Sequence, residues 1–67
     1  MDIRSLIVKA LRKKYEADIV AAKANLLTYI NTPVGVAEHP DMIASMDELI
    51  GKIAEAQDKL KILEEGV

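Results

Sequence analysis

The sequence has no cysteine, no tryptophan and no phenylalanine. The first absence excludes disulfides and cysteine-based zinc sites. The other two leave Tyr15 and Tyr29 as the aromatic side chains, so the apolar content is almost wholly aliphatic. With His39 as the single histidine, a metal site would need carboxylates converging on it. No run of about 18 apolar residues occurs, which argues against a membrane-spanning helix. The opening stretch Met1 to Val8 is too interrupted for a signal-peptide core, and no small-residue cleavage site follows it, so a cytoplasmic setting is expected. Proline and glycine are scarce as well, and both prolines fall within residues 33–40.

What remains is a chain of 67 residues, 51% hydrophobic and 30% charged, with slightly positive mean hydropathy. That profile fits an aliphatic helix bundle and is too apolar for a disordered chain. A chain this short buries only about 60% of its unfolded surface, and one core of this size supplies about 3–5 kcal/mol. Without disulfides or a metal, oligomerisation is the common remedy. The net charge of −2 gives no strong steering towards nucleic acid or membrane. It is unevenly spread: residues 1–31 carry six basic and three acidic groups, residues 32–67 three basic and eight acidic.

The first helix is expected over about residues 3–30. Ile3, Ile7, Leu11, Tyr15, Ile19, Ala22, Leu26 and Tyr29 step by three and four, a helical period. Val8, Val20, Leu27 and Ile30 widen the stripe, and no glycine or proline interrupts it. Ala17, Ala21, Ala24 and Thr28 form a second, small-residue stripe that would admit a close helix. The second helix is expected over about residues 41–64. Met42, Leu49, Ala56 and Leu63 repeat every seven residues, as do Met46, Ile53 and Leu60. Ile43, Ile50 and Gln57 flank that seam, a width that suits a bundle more than an isolated two-stranded coiled coil. Glu48/Lys52 and Glu55/Lys59 are spaced for helical ion pairs. Gly51 lies opposite the seam, and Gly66 ends the helix.

Between them lies a connector, residues 31–40. Asn31 suits a helix end, Thr32 and His39 precede prolines and are pushed to extended backbone, and Gly35 supplies a turn. Pro40 fits a first helical turn, and Asp41 a cap or first-turn position. A link this long is either a packed cap or a functional loop.

The expected fold is all-α, a single antiparallel two-helix hairpin that dimerises into a four-helix bundle. The helices would span about 42 and 36 Å. Pairing Ile30 with Met42 brings Lys9, Arg12, Lys13 and Lys14 towards Asp58, Glu64 and Glu65, and leaves Ile3, Leu6 and Ile7 in need of a partner. The residues expected to carry self-association are Leu11, Tyr15, Ile19, Leu26, Met46, Leu49, Ile53 and Leu60. Glu38, His39 and Asp41 are the candidate partner-binding residues, because helix periodicity explains them least.

No catalytic constellation is visible. The chain has no glycine-rich phosphate loop, no zinc-protease motif and no calcium loop. Neither metal nor cofactor is expected, and the chain is read as non-enzymatic. The basic residues Arg12, Lys13 and Lys14 fall short of a nucleic-acid surface. Residues 3–15 are basic and amphipathic like a membrane-surface helix, but the stripe continues to Ile30 as a packing face does.

Lys14-Tyr15-Glu16-Ala17, Ala24-Asn25-Leu26, Pro33-Val34-Gly35-Val36, Glu38-His39-Pro40-Asp41 and Asp58-Lys59-Leu60 together resemble short uncharacterised proteins of tailed phages, particularly those infecting cyanobacteria. The resemblance covers about residues 11–64 and carries no assigned activity. It implies a small virion or assembly component, or an accessory protein binding a host protein, in the host cytoplasm or the virion. The expected function is thus a self-associating helical protein acting through protein–protein contacts, as homodimer or higher homo-oligomer. The alternatives are a binder that engages a host or virion protein through residues 34–41, and a membrane-surface adaptor using residues 3–15.

Overall fold

The computed structural model describes residues 2–31 and 41–67. Two helices, α1 (Ile3–Asn31) and α2 (Met42–Glu65), make up most of it and pack against each other. They run antiparallel. Ile3 and Ile7 share a groove with Ile62 and Val67, while Thr28 and Tyr29 share one with Ser45 and Glu48. The chain measures 53 × 16 × 12 Å, a single layer two helices wide and one helix thick.

Each helix end has a local cause. The N–H of Ser5 donates to Oδ1 of Asp2 at 2.8 Å, which satisfies one of the open donors of the first turn of α1. At the start of α2, Asp41 stands at the N-cap position, but its carboxylate makes no cap bond. Its carbonyl instead accepts the N–H of Ser45 at 3.0 Å. Gly66 takes φ 102 and its N–H donates to the carbonyl of Leu63 at 3.3 Å, the expected glycine stop. Asn31 is the last helical residue of α1 and not a left-handed cap, since among the described residues positive φ is confined to Gly66. The turn at Gly35 and the roles given to Thr32, Pro33, Glu38, His39 and Pro40 lie outside the described residues.

The seam between the helices follows the sevenfold repeat of α2. Met42, Leu49, Ala56 and Leu63 are buried, and Met46, Ile53 and Leu60 beside them are half-buried. From α1 the seam takes Ala22, which is buried, and Val8, Leu11, Tyr15, Ile19 and Leu26, which are half-buried. Val8 thus belongs to the packing row, while Ile3 and Ile7, placed in that row by spacing alone, are 76% and 55% exposed. The small stripe Ala17, Ala21, Ala24 and Thr28 is exposed, and the Thr28 hydroxyl donates back to the Ala24 carbonyl at 3.0 Å. Ala22, opposite Leu49 and Ala56, is the small side chain at the helix–helix contact.

That contact also sets the register. The Lys59 ammonium lies 5.5 Å from the Tyr15 ring centroid, and Asn25 shares a groove with Leu49. The expected charge pairing across the helices is not formed as ion pairs among the described residues. Lys14–Asp18 and Lys59–Glu55, each at 3.0 Å, both lie within a helix, where the i,i+4 spacing brings the groups together.

Candidate functional site

The two sides of the layer differ. On one, a groove of about 350 Å³ is lined by Asp18, Asn25, Lys52, Glu55 and Lys59 over Ala22, Leu49 and Ala56. It continues towards the bend between Thr28, Tyr29, Ser45 and Glu48. Towards the open end it turns apolar: Ile3, Ile7, Leu11, Ile62, Leu63 and Val67 line a groove of about 450 Å³, with Tyr15 and Lys59 at its inner end.

The other side carries the flank of the α2 seam. Ile43 and Ile50 are 64% and 53% exposed there, beside half-buried Met46, Ile53 and Leu60. Helical spacing brings Ile19, Leu26 and Ile30 of α1 to the same side, with Val20 and Leu27 at its outer edge. Of the charges on α1 that share this side, Lys9, Arg12 and Glu16 lie from the open end to mid-helix, and Lys23 lies among Ile19, Leu26 and Leu27.

Among the described residues, electrostatic perturbation is found at two exposed groups. The Lys59 amine is held above its ordinary value, first by its hydrogen bond to Glu55, then by the Glu55 charge, with smaller contributions from Tyr15 and Asp18. The Asp2 carboxyl is held below its ordinary value by the Ser5 backbone and side chain. Both groups serve the hairpin itself, one across the seam and one at a helix start. No group of three His, Cys, Asp or Glu side chains is placed to hold a metal among the described residues. Among the same residues, no helix is long and apolar enough to cross a membrane.

The residues expected to carry self-association fall inside the hairpin. Leu49 is buried, while Leu11, Tyr15, Ile19, Leu26, Met46, Ile53 and Leu60 are half-buried along the seam, each with an edge left to solvent. Of the candidate partner-binding residues, Asp41 is exposed at the head of α2, and Glu38 and His39 lie outside the described residues. The exposed pair Ile43 and Ile50 was legible as the flank of a heptad, though not as an unfilled face. The cap from Asp2 to Ser5 was missed by the sequence reading; its signal is an Asp immediately before Ile3, the first residue of the apolar pattern. Comparison with protein-family models, with curated proteins and with solved structures finds no match.

Proposed function

We propose that the chain is a self-associating helical protein whose working form is a four-helix-bundle homodimer and which acts by presenting a protein-binding surface. The observation that carries this reading is the excess of exposed surface. The chain exposes 5194 Å², whereas a compact monomer of 7.4 kDa would expose about 4,200 Å². Part of that difference belongs to the elongated outline of 53 × 16 × 12 Å, and the large apolar side chains left exposed on it, Val20, Leu27, Ile30, Ile43 and Ile50 among them, are what a second copy would cover. The composition of the core agrees. Among the described residues the buried side chains are Ala22, Met42, Leu49, Ala56 and Leu63, two of them alanine, set against helices of 29 and 24 residues that must be ordered. The resemblance to short phage proteins would make the bundle a small virion or accessory component.

Light scattering coupled to size exclusion tests the reading. A mass near twice 7.4 kDa is expected; a folded monomer at micromolar concentration overturns it.

A second reading, a membrane-surface adaptor, is favoured by one observation. Ile3, Leu6 and Ile7 stay exposed in a stretch that also carries Arg4, Lys9, Arg12, Lys13 and Lys14. Sedimentation with anionic liposomes decides it: binding that is lost in Ile3→Asp/Ile7→Asp supports it, and no sedimentation disposes of it.

A further inference from the structure

We infer that a second copy of the chain covers the face built on Ile43 and Ile50, with both bends at the same end of the dimer and α1 of each copy against α2 of the other. The inference rests on the dimer reading above and adds which face is used and how the copies are oriented.

The face is chosen by the pattern of α2. Ile43, Met46, Ile50, Ile53, Gln57 and Leu60 step by three and four, so α2 carries a second heptad seam. Met46, Ile53 and Leu60 belong to both seams. α1 half-covers them, while Ile43 and Ile50 are left outward. The opposite side of the layer is interrupted at mid-length by Asp18, Lys52, Glu55 and Lys59, so burying it would desolvate charges.

The orientation follows from charge and from the distribution of apolar residues. α1 holds six basic and two acidic groups, α2 three basic and six acidic. A two-fold axis parallel to the helices sets the two bends together. It places each α1 beside α2 of the other copy, with the two α1 helices diagonal, so the sign of charge alternates around the bundle. A two-fold axis perpendicular to the helices sets the bends apart and lays α1 on α1, basic on basic. Length matters too. On this face α1 carries Ile19, Leu26 and Ile30 towards the bend, with Lys23 as the charge among them, and Lys9, Arg12 and Glu16 towards the open end. Only the same-end arrangement puts the more apolar part of α1 over the bend-proximal part of α2, where Ile43 and Ile50 lie, and brings Lys23 to the acidic helix of the other copy.

Two measurements test this. The first compares Ile50→Asp with Ile62→Asp. The two isoleucines are 53% and 54% exposed, but Ile62 faces the open-end groove on the other side of the layer. Ile50→Asp is expected to raise the dimer dissociation constant at least about tenfold, or to abolish folding at concentrations where Ile62→Asp remains a folded dimer. The reverse order overturns the choice of face. The second is the distance between spin labels on Ser5→Cys, in the first turn of α1. Ser5 lies about 18 Å from the middle of α1, so bends at opposite ends set the labels about 36 Å or more apart along the axis. Bends at the same end leave only the bundle diagonal, under about 20 Å. A short distance supports the inference. A long distance in a dimer of the expected mass overturns the orientation alone, whereas a monomer in light scattering overturns the dimer reading and the inference with it.

Discussion

The ammonium of Lys59 lies 5.5 Å from the centroid of the Tyr15 ring and 3.0 Å from Oε1 of Glu55. One cation therefore joins α1 to α2 across the seam and one turn of α2 to the next. A cation over an aromatic face is attracted by the ring quadrupole, and here the pair also marks the register in which Ala22 meets Leu49 and Ala56.

The first prediction concerns pH. The Lys59 amine titrates above its ordinary value of 10.5 in the folded chain, chiefly through Glu55. Folding therefore strengthens proton binding there, and the associated stability is complete below about 10.5 and lost as pH rises through the raised value. The melting temperature should fall over that window, and Lys59→Met, which keeps the aliphatic stem, should flatten the fall. An equal fall in the variant would remove Lys59 from the account.

The second concerns the start of α1. The Asp2 carboxyl titrates below its ordinary value of 3.8 because it accepts the Ser5 N–H. Its contribution is present above about 3.8 and lost as pH falls through the lowered value. Asp2→Ala should speed amide exchange at Ser5 and Leu6 at neutral pH and leave the amides around Ile19 as they were. Unchanged exchange at Ser5 would mean that the cap is not held in solution.

Leu49 supplies the third. It is buried midway along the seam, and removing its side chain deletes contacts with both helices. Leu49→Ala should cost about 2–5 kcal/mol in urea denaturation, and Leu49→Asp should abolish helical circular dichroism. A loss below about 1 kcal/mol would indicate that the seam is not the core.

Gly51 supplies the fourth. A methyl group there would meet nothing within 4 Å, and the residue is exposed in mid-helix. Gly51→Ala should therefore raise stability by about 1 kcal/mol, the difference in helix propensity, with the association state unchanged. A destabilised or dissociated variant would place a close partner on that face of α2 and remove it from Ile43 and Ile50.

Much of the fold was legible because the sevenfold repeat of α2 leaves little choice: Met42, Leu49, Ala56 and Leu63 are the positions that end up buried. The helix limits were legible too, from Gly66 at one end and the proline-containing stretch at the other. α1 was harder. Its apolar residues spread over more than one face, so spacing put Ile3 and Ile7 in one row with Leu11 and Tyr15, although their need of a partner beyond the hairpin was legible and they do stay exposed. The second helix separates them by docking on Val8 and Ala22. The charge asymmetry between the halves was legible. Its realisation was not, since helical spacing delivers Lys14 to Asp18 and Lys59 to Glu55 before any cross-helix partner can compete. For the site, the sequence placed the apolar flank of α2 correctly on one side of the seam. It could not say that the flank would remain uncovered, because that depends on how many helices a single chain contributes.

The 12 Å thickness of the layer has a consequence for the life of the molecule. A protein with so little interior of its own gains its remaining stability by mass action in the proposed dimer, so the folded fraction rises with the amount made. Scarce copies would spend much of their time open to proteolysis, and abundant copies would protect one another. Supply would then set lifetime, and the protein would accumulate above a threshold of synthesis and be cleared below it.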